Sequence, residues 1–101
     1  MSIEYKAKMC RGFELSDNWN EIVTEEFFEE YVDNFIEVDQ YRAEGPQLFA
    51  VVLDSVENGN YTEYSTYMSL DDQDLLQRFI TEFPGAAVDA LPSMYLVGTI
   101  A

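Results

Sequence analysis

Six carboxylates recur at three- and four-residue spacing in one stretch of this chain, and they are the side chains with the clearest chemical potential. They lie in the segment 24–37, TEEFFEEYVDNFIE, and are Glu25, Glu26, Glu29, Glu30, Asp33 and Glu37. Carboxylates grouped in this way can act as acid–base pairs, bind divalent cations, or present a dense anionic surface to a cationic partner. The composition of the remaining chain helps to choose among these three possibilities.

Catalytic and metal chemistry find little support in the sequence. The chain has no histidine, so it has neither a histidine-based catalytic triad nor a histidine metal ligand. Asp54, Asn58 and Gly59 have the spacing of a calcium loop, but Val56 and Ser65 occupy two of its ligand positions. Carboxylate pairs could serve glycoside hydrolysis, yet twenty acids make such pairs expected by chance. We therefore expect no enzymatic activity, no cofactor and no metal site.

The charge balance indicates the kind of partner. Twenty acidic residues against five basic ones give a net charge of −15. Such a field repels nucleic acid and anionic membranes, and it attracts basic protein surfaces over a Debye length of about 10 Å. Aromatic residues make up 15% of the chain, so it is not a disordered acidic tail. The single Cys10 excludes an internal disulfide and is expected to be a buried, small hydrophobic side chain; together with the absence of a signal-like or membrane-spanning run it indicates a cytoplasmic protein.

A helix over 24–37 would place the six acids on one face. The opposite face would carry an apolar stripe of Phe27, Phe28, Tyr31, Val32, Phe35 and Ile36. Thr24 is a favourable N-cap for this helix, and Gly45-Pro46 forces a turn after it. Like charges four residues apart destabilise a helix by roughly 0.2–0.5 kcal/mol per pair. Because no lysine or arginine relieves these repulsions, the uniform sign indicates a role outside the fold.

The other elements complete a β-α-β-β-α-β order. Period-two alternation and apolar runs predict strands over 3–10, 47–56, 61–70 and 94–100, and a second helix over 71–83 that Pro84-Gly85 ends. Asn58-Gly59 predicts a hairpin between the second and third strands. We therefore expect a single α+β domain over residues 1–101, with a ferredoxin-like antiparallel sheet and two helices on one face.

The second predicted strand conflicts with part of this arrangement. From Gln47 to Leu53 it is apolar on both faces, although the ferredoxin-like order makes the second strand an edge. Either the strand is central in a different order, or its outer face is covered by a partner or by a second copy. The second alternative predicts a homodimer through Gln47 to Leu53.

The acid stripe predicts a nucleic-acid mimic. Carboxylates one helical turn apart stand about 5–6 Å from each other, a separation similar to that of successive phosphates. A helix from Glu25 to Glu37 would extend this pattern over about 18 Å at 1.5 Å per residue. The expected partner is a basic nucleic-acid-binding protein that contacts the six acids. In composition only, the chain resembles the small acidic phage-encoded inhibitors of restriction and CRISPR enzymes.

Other interpretations of the same stripe stay open. An immunity protein or antitoxin that neutralises a basic nuclease toxin would use the same electrostatics. A halophile-adapted cytosolic domain would also be rich in acids, but twelve glutamates against eight aspartates fit that class less well. The stripe could also be a solvated face that maintains solubility.

Overall fold

The fold is built on a four-stranded antiparallel sheet with the strand order β2-β3-β1-β4. The computed structural model describes residues 5–38, 45–57 and 68–100. Its strands are β1 (Tyr5–Glu14), β2 (Phe35–Ile36), β3 (Leu48–Glu57) and β4 (Ser93–Ile100), and its helices are α1 (Trp19–Ile22), α2 (Glu25–Glu30) and α3 (Leu70–Glu82). Short 3-10 turns, Val32–Asn34 and Pro84–Ala86, come after α2 and α3. The chain is therefore a small single-domain α+β protein.

Stacked phenylalanines hold the helices to one face of the sheet. The ring of Phe79 in α3 lies 4.1 Å from that of Phe49 in β3, with an interplanar angle of 16°. Phe27 of α2 packs 5.6 Å from Phe49 and 5.9 Å from Phe79. Phe49 and Phe79 are fully buried. Aromatic pairs of this kind stabilise a core beyond the area they bury, so this cluster joins α2 and α3 to the sheet.

The predicted helix over 24–37 is wrong beyond Glu30. α2 ends there, and the chain passes through the 3-10 turn into β2, which pairs with the start of β3. The Nδ2 group of Asn34 donates a hydrogen bond to the carbonyl oxygen of Ala50 at 3.0 Å, which fixes the turn against β3. In this conformation the ring of Phe35 lies 5.0 Å from that of Phe49. Aromatic burial and strand pairing therefore replace a helix in which like charges would repel one another.

The strand that is apolar on both faces lies inside the described sheet. β3 pairs with β1 along its length and with β2 at Leu48 and Phe49. Phe49 and Val51 face the helices, whereas Leu48 and Ala50 join Cys10 and other buried residues on the opposite face. The central position of β3 accounts for the apolar residues on both of its faces. The edge position expected for the predicted 47–56 strand is occupied by β2. The homodimer through Gln47 to Leu53 stays a prediction.

Three of the other predicted elements agree closely with the structure, and two differ from it in part. β3, α3 and β4 each begin within one residue of the predicted start, and Thr24 is the N-cap of α2. β1 extends past the predicted end at residue 10 to Glu14. The predicted Asn58-Gly59 hairpin and most of the predicted 61–70 strand lie outside the described residues, but Leu70 belongs to α3 rather than to that strand. No described helix is long and apolar enough to span a membrane.

Gly12 allows β1 and β3 to approach each other closely. It is buried and pairs with Ala50, and a Cβ atom at this position would meet the Phe49 carbonyl oxygen and lie 2.5 Å from Ala50 Cα. By contrast, a Cβ atom at Gly98 in β4 would have no heavy atom within 4 Å.

We expect Gly12→Ala to destabilise the protein by about 1–3 kcal/mol, because the methyl group must displace the backbone of β3. Gly98→Ala is the matched control and should leave the free energy of unfolding nearly unchanged. Denaturant unfolding of the two variants and the wild type measures the difference. Equal stability of the two variants would contradict the close approach of β1 and β3.

Candidate functional site

The six predicted carboxylates do not form one continuous helical stripe. Four of them lie on α2, Asp33 lies in the following 3-10 turn, and Glu37 comes after β2. Because α2 has only six residues, it is about 9 Å long instead of the predicted 18 Å. All six carboxylates are nevertheless exposed. The structure thus brings four of them together as one surface, here called the α2 acidic surface: Glu25, Glu26, Glu29 and Glu30.

The two ends of α2 place these glutamates in opposite electrostatic settings. The Thr24 side chain accepts a hydrogen bond from the Phe27 amide at 3.3 Å and caps the helix. Glu25 and Glu26 follow in the first turn, where the helix dipole favours negative charge. Glu29 and Glu30 lie in the last turn, where the dipole disfavours negative charge and where α2 itself supplies no basic residue. The second pair therefore carries an electrostatic cost within the helix.

Arg78 of α3 joins the end of α2 to the second helix. Its guanidinium donates hydrogen bonds to a Glu82 carboxylate oxygen at 3.2 Å and to the Tyr31 hydroxyl at 3.0 Å. It also lies over the Phe27 ring, 5.3 Å from the centroid, in cation–π geometry. The hydrogen bond to Glu82 raises the pKa of Arg78, and the negative charge of Glu30 adds to this effect. Arg78 therefore stays charged and tethers α3 beside the α2 acidic surface.

An acidic cleft lies between the end of α2 and the first turns of α3. It is open to solvent, has a volume of about 380 Å³, and is lined by Tyr31, Asp71, Asp72, Asp74, Leu75 and Arg78. The Ser69 side chain caps α3 by accepting a hydrogen bond from the Asp72 amide at 3.2 Å. Asp71 and Asp72 consequently lie where the α3 dipole favours anions, which gives them a role in the fold as well.

The acids of α3 were visible in the sequence as a first-turn cluster but were not assigned to the site. The contact between Tyr31 and Arg78, 47 residues apart, and the packing of Phe27 on Phe79 place them beside α2. Within the three described segments the one ion pair is Arg78–Glu82. In the same segments no group of three or more histidine, cysteine, aspartate or glutamate side chains is arranged to hold a metal ion. The site is thus an anionic surface that extends over two helices.

Comparison with known protein families found no family that matches this chain. Searches among curated proteins and among solved structures found no matching protein either.

Cys10 lies apart from this surface, in the cluster on the opposite face of the sheet. Its side chain is fully buried against Leu48, Ala50 and Val97. Burial raises the pKa of the thiol, and the charge of Lys8 offsets only part of that increase. The raised pKa disfavours the reactive thiolate, and burial also keeps reagents away from the sulfur atom.

We expect native Cys10 to resist alkylation by iodoacetamide and to react readily once the chain is unfolded in denaturant. Mass spectrometry of samples quenched over time measures the modified fraction. The denatured protein is the control for intrinsic reactivity. Rapid, complete labelling of the native protein at neutral pH would show that the thiol is accessible and would contradict its burial.

Arg78 gives a second test of the site. Arg78→Met supplies an apolar side chain of similar length but removes the cation–π contact and both hydrogen bonds, and it leaves Glu82 without its ion-pair partner. We expect a lower melting temperature, with Arg78→Lys intermediate because lysine keeps the charge but lacks the planar fork of donors. Thermal unfolding by circular dichroism measures all three proteins. Identical melting temperatures would show that Arg78 does not couple α2 to α3.

Proposed function

We propose that this protein is a nucleic-acid mimic that inhibits a nuclease or a defence complex by occupying its basic DNA- or RNA-binding surface. It would act in the cytoplasm of a bacterium or of a phage-infected host cell, in the manner of anti-CRISPR and anti-restriction proteins. The α2 acidic surface would make the central contacts, with Asp33 and Glu37 beside it.

The observation that carries the proposal is the placement of Glu29 and Glu30. Both are exposed at the end of α2 that disfavours negative charge, and each repels an acid one turn earlier, Glu25 or Glu26. Lysine or glutamine at these positions would suit the helix better. A basic partner that binds the carboxylates supplies the compensation that the helix lacks.

Shape and charge support the same proposal. The tether between Arg78 and Tyr31 sets the acids of α3 beside those of α2, so the anionic surface is wider than one short helix. A protein that binds nucleic acid through lysine and arginine recognises phosphates mainly by their charge and spacing. The net charge of −15 would speed association with such a surface at low salt.

The alternatives differ from this proposal in partner or in charge distribution. An immunity protein or antitoxin would present the same surface to a nuclease toxin, so the identity of the captured nuclease separates these two functions. A halophile-adapted domain is expected to spread acids over its whole surface. Here residues 90–101 contain no charged side chain although Met94 and Leu96 are exposed, which argues against general adaptation.

We also infer that the protein has no enzymatic activity of its own. The chain has no histidine and its one cysteine is buried, so two common catalytic side chains are unavailable. The six carboxylates of the segment 24–37 are exposed to solvent, where no shielded pocket would tune a carboxyl group for proton transfer.

We infer further that the sheet is a variant of the ferredoxin-like arrangement. The strand order β2-β3-β1-β4, with every described pair antiparallel, and the helical segments between β1 and β2 and between β3 and β4 support this inference. The variation lies in the two-residue β2 and in the division of the first helix.

The decisive experiment compares two double variants of equal charge. Glu29→Gln with Glu30→Gln removes two carboxylates from the α2 acidic surface, and Glu14→Gln with Asp89→Asn removes two exposed carboxylates outside α2 and α3. The partner is captured with the wild-type protein from a nuclease-rich bacterial lysate at low salt and purified. Each protein is then titrated against it at two salt concentrations, with and without double-stranded DNA as competitor.

We expect the α2 double variant to bind at least about tenfold more weakly and with a shallower salt dependence, because fewer charges contact the partner. Its melting temperature should be equal to or slightly above that of the wild type, since two repulsions are relieved. The control double variant should bind nearly as tightly as the wild type, and DNA should compete with all three proteins. Equal losses for both variants, or no competition by DNA, would remove the support for mimicry.

A further inference from the structure

The strand β4 forms one edge of the described sheet and carries exposed apolar side chains. It pairs with β1 on one side, and no other described strand pairs with it. Leu96 is 69% exposed and Met94 is 42% exposed. Eight residues of strand extend over about 26 Å, which is long for an uncovered edge.

These side chains lie on the helix-bearing side of the sheet. Leu96 pairs with Met9 and Met94 pairs with Arg11, and alternate residues along β1 lead from Arg11 to Phe13, which packs on Phe79 of α3. The described helices cover the centre of this face but leave Met94 and Leu96 of β4 exposed. An apolar strip thus follows the edge of the sheet beside the helical layer.

The charge pattern sets β4 apart from the rest of the chain. Residues 90–101 form its longest run without a charged side chain, and the next longest is 45–53. Burial within the sheet accounts for much of 45–53, which includes the first half of β3, but burial does not account for the exposed side chains of β4. Natural edge strands usually carry lysine, proline or a bulge that blocks pairing with another chain, and Ser93–Ile100 contains neither lysine nor proline.

We propose that β4 is a homodimerisation edge, at which two copies of this chain pair their β4 strands antiparallel around a two-fold axis perpendicular to the sheet. Antiparallel pairing of a strand with its own copy is self-complementary, because each residue that donates across the axis also accepts from the same partner residue. The exposed Met94 and Leu96 of both copies would then meet on the helix-bearing side and remove one another from water.

Charge selects a second copy as the occupant of this edge. Two molecules of charge −15 repel each other wherever their acids approach, so they associate most readily through a surface without charge. A basic partner, in contrast, would be drawn to the acids of α2 and α3 rather than to an uncharged strand. The edge of β4 is therefore suited to self-association.

The symmetry has a consequence for the acidic surface, and this consequence rests on the proposed function. A two-fold axis perpendicular to the sheet keeps the helices of both copies on the same side of a continuous eight-stranded sheet. The two α2 acidic surfaces would face one partner together, which raises avidity for a nucleic-acid-binding surface of matching symmetry.

The test is sedimentation velocity over a range of protein concentrations, at low and at high salt. We expect the wild type to shift from monomer to dimer as concentration rises, and more readily at high salt, because salt screens the repulsion between two acidic copies. Leu96→Lys should keep the protein monomeric at concentrations where the wild type is mostly dimeric.

Two control variants carry the same apolar-to-lysine change elsewhere. Leu70 is 73% exposed at the start of α3 and Val52 is 45% exposed on β3. Leu70→Lys should dimerise like the wild type, and so should Val52→Lys if the edge is β4. A far-ultraviolet circular dichroism spectrum confirms that each variant is folded.

A wild type that stays monomeric at all concentrations would overturn the proposal. Loss of the dimer in Val52→Lys but not in Leu96→Lys would also overturn it and would favour the segment from Gln47 to Leu53. The tests of dimerisation and of partner binding can be told apart, because added salt strengthens the dimer and weakens binding to the basic partner. A monomeric Leu96→Lys variant that still binds the captured nuclease would leave the proposed function intact.

Discussion

The stacked rings of Phe49 and Phe79 are the contact on which the rest of the structure depends. Phe49 lies in the middle of the sheet, paired with Phe13 on β1 and with Phe35 on β2, while Phe79 lies in the last turn of α3. Their centroid separation of 4.1 Å leaves no space between helix and sheet. Phe27 packs against the rim of this pair and brings α2 onto the same face. Through one aromatic cluster, three strands and two helices share a common core.

This cluster explains how a helix as short and as acidic as α2 can persist. Six residues are too few for a stable isolated helix, and four of those in α2 are glutamates. The helix is held by the Thr24 cap and by the buried Phe27, whose ring also lies beneath the Arg78 guanidinium. Apolar burial therefore offsets electrostatic repulsion, and the fold can carry exposed carboxylates where helix electrostatics alone would disfavour them.

Charge is divided between distinct parts of the molecule. Acids crowd the helical layer around the tether from Arg78 to Tyr31, whereas the strand at one edge of the described sheet has no charged side chain. This separation is physically useful, because a strongly anionic surface attracts basic partners but prevents contact between like copies. An uncharged edge supplies a second surface on which the repulsion is weakest.

The sequence by itself determined the elements whose signals are local. α3 and β4 were predicted to within one residue because apolar residues mark both elements and Pro84-Gly85 ends α3, and the exposure of the six acids followed from the same kind of periodicity. The end of α2 was decided by tertiary structure. Phe35 and Ile36 fit a helical stripe as well as they fit a strand, and their partners Phe49 and Leu48 come more than ten residues later. The tether between Tyr31 and Arg78 joins residues 47 positions apart. Periodicity records only near neighbours along the chain, whereas strand pairing and aromatic burial are energies between distant segments, so only the folded chain could choose between helix and strand.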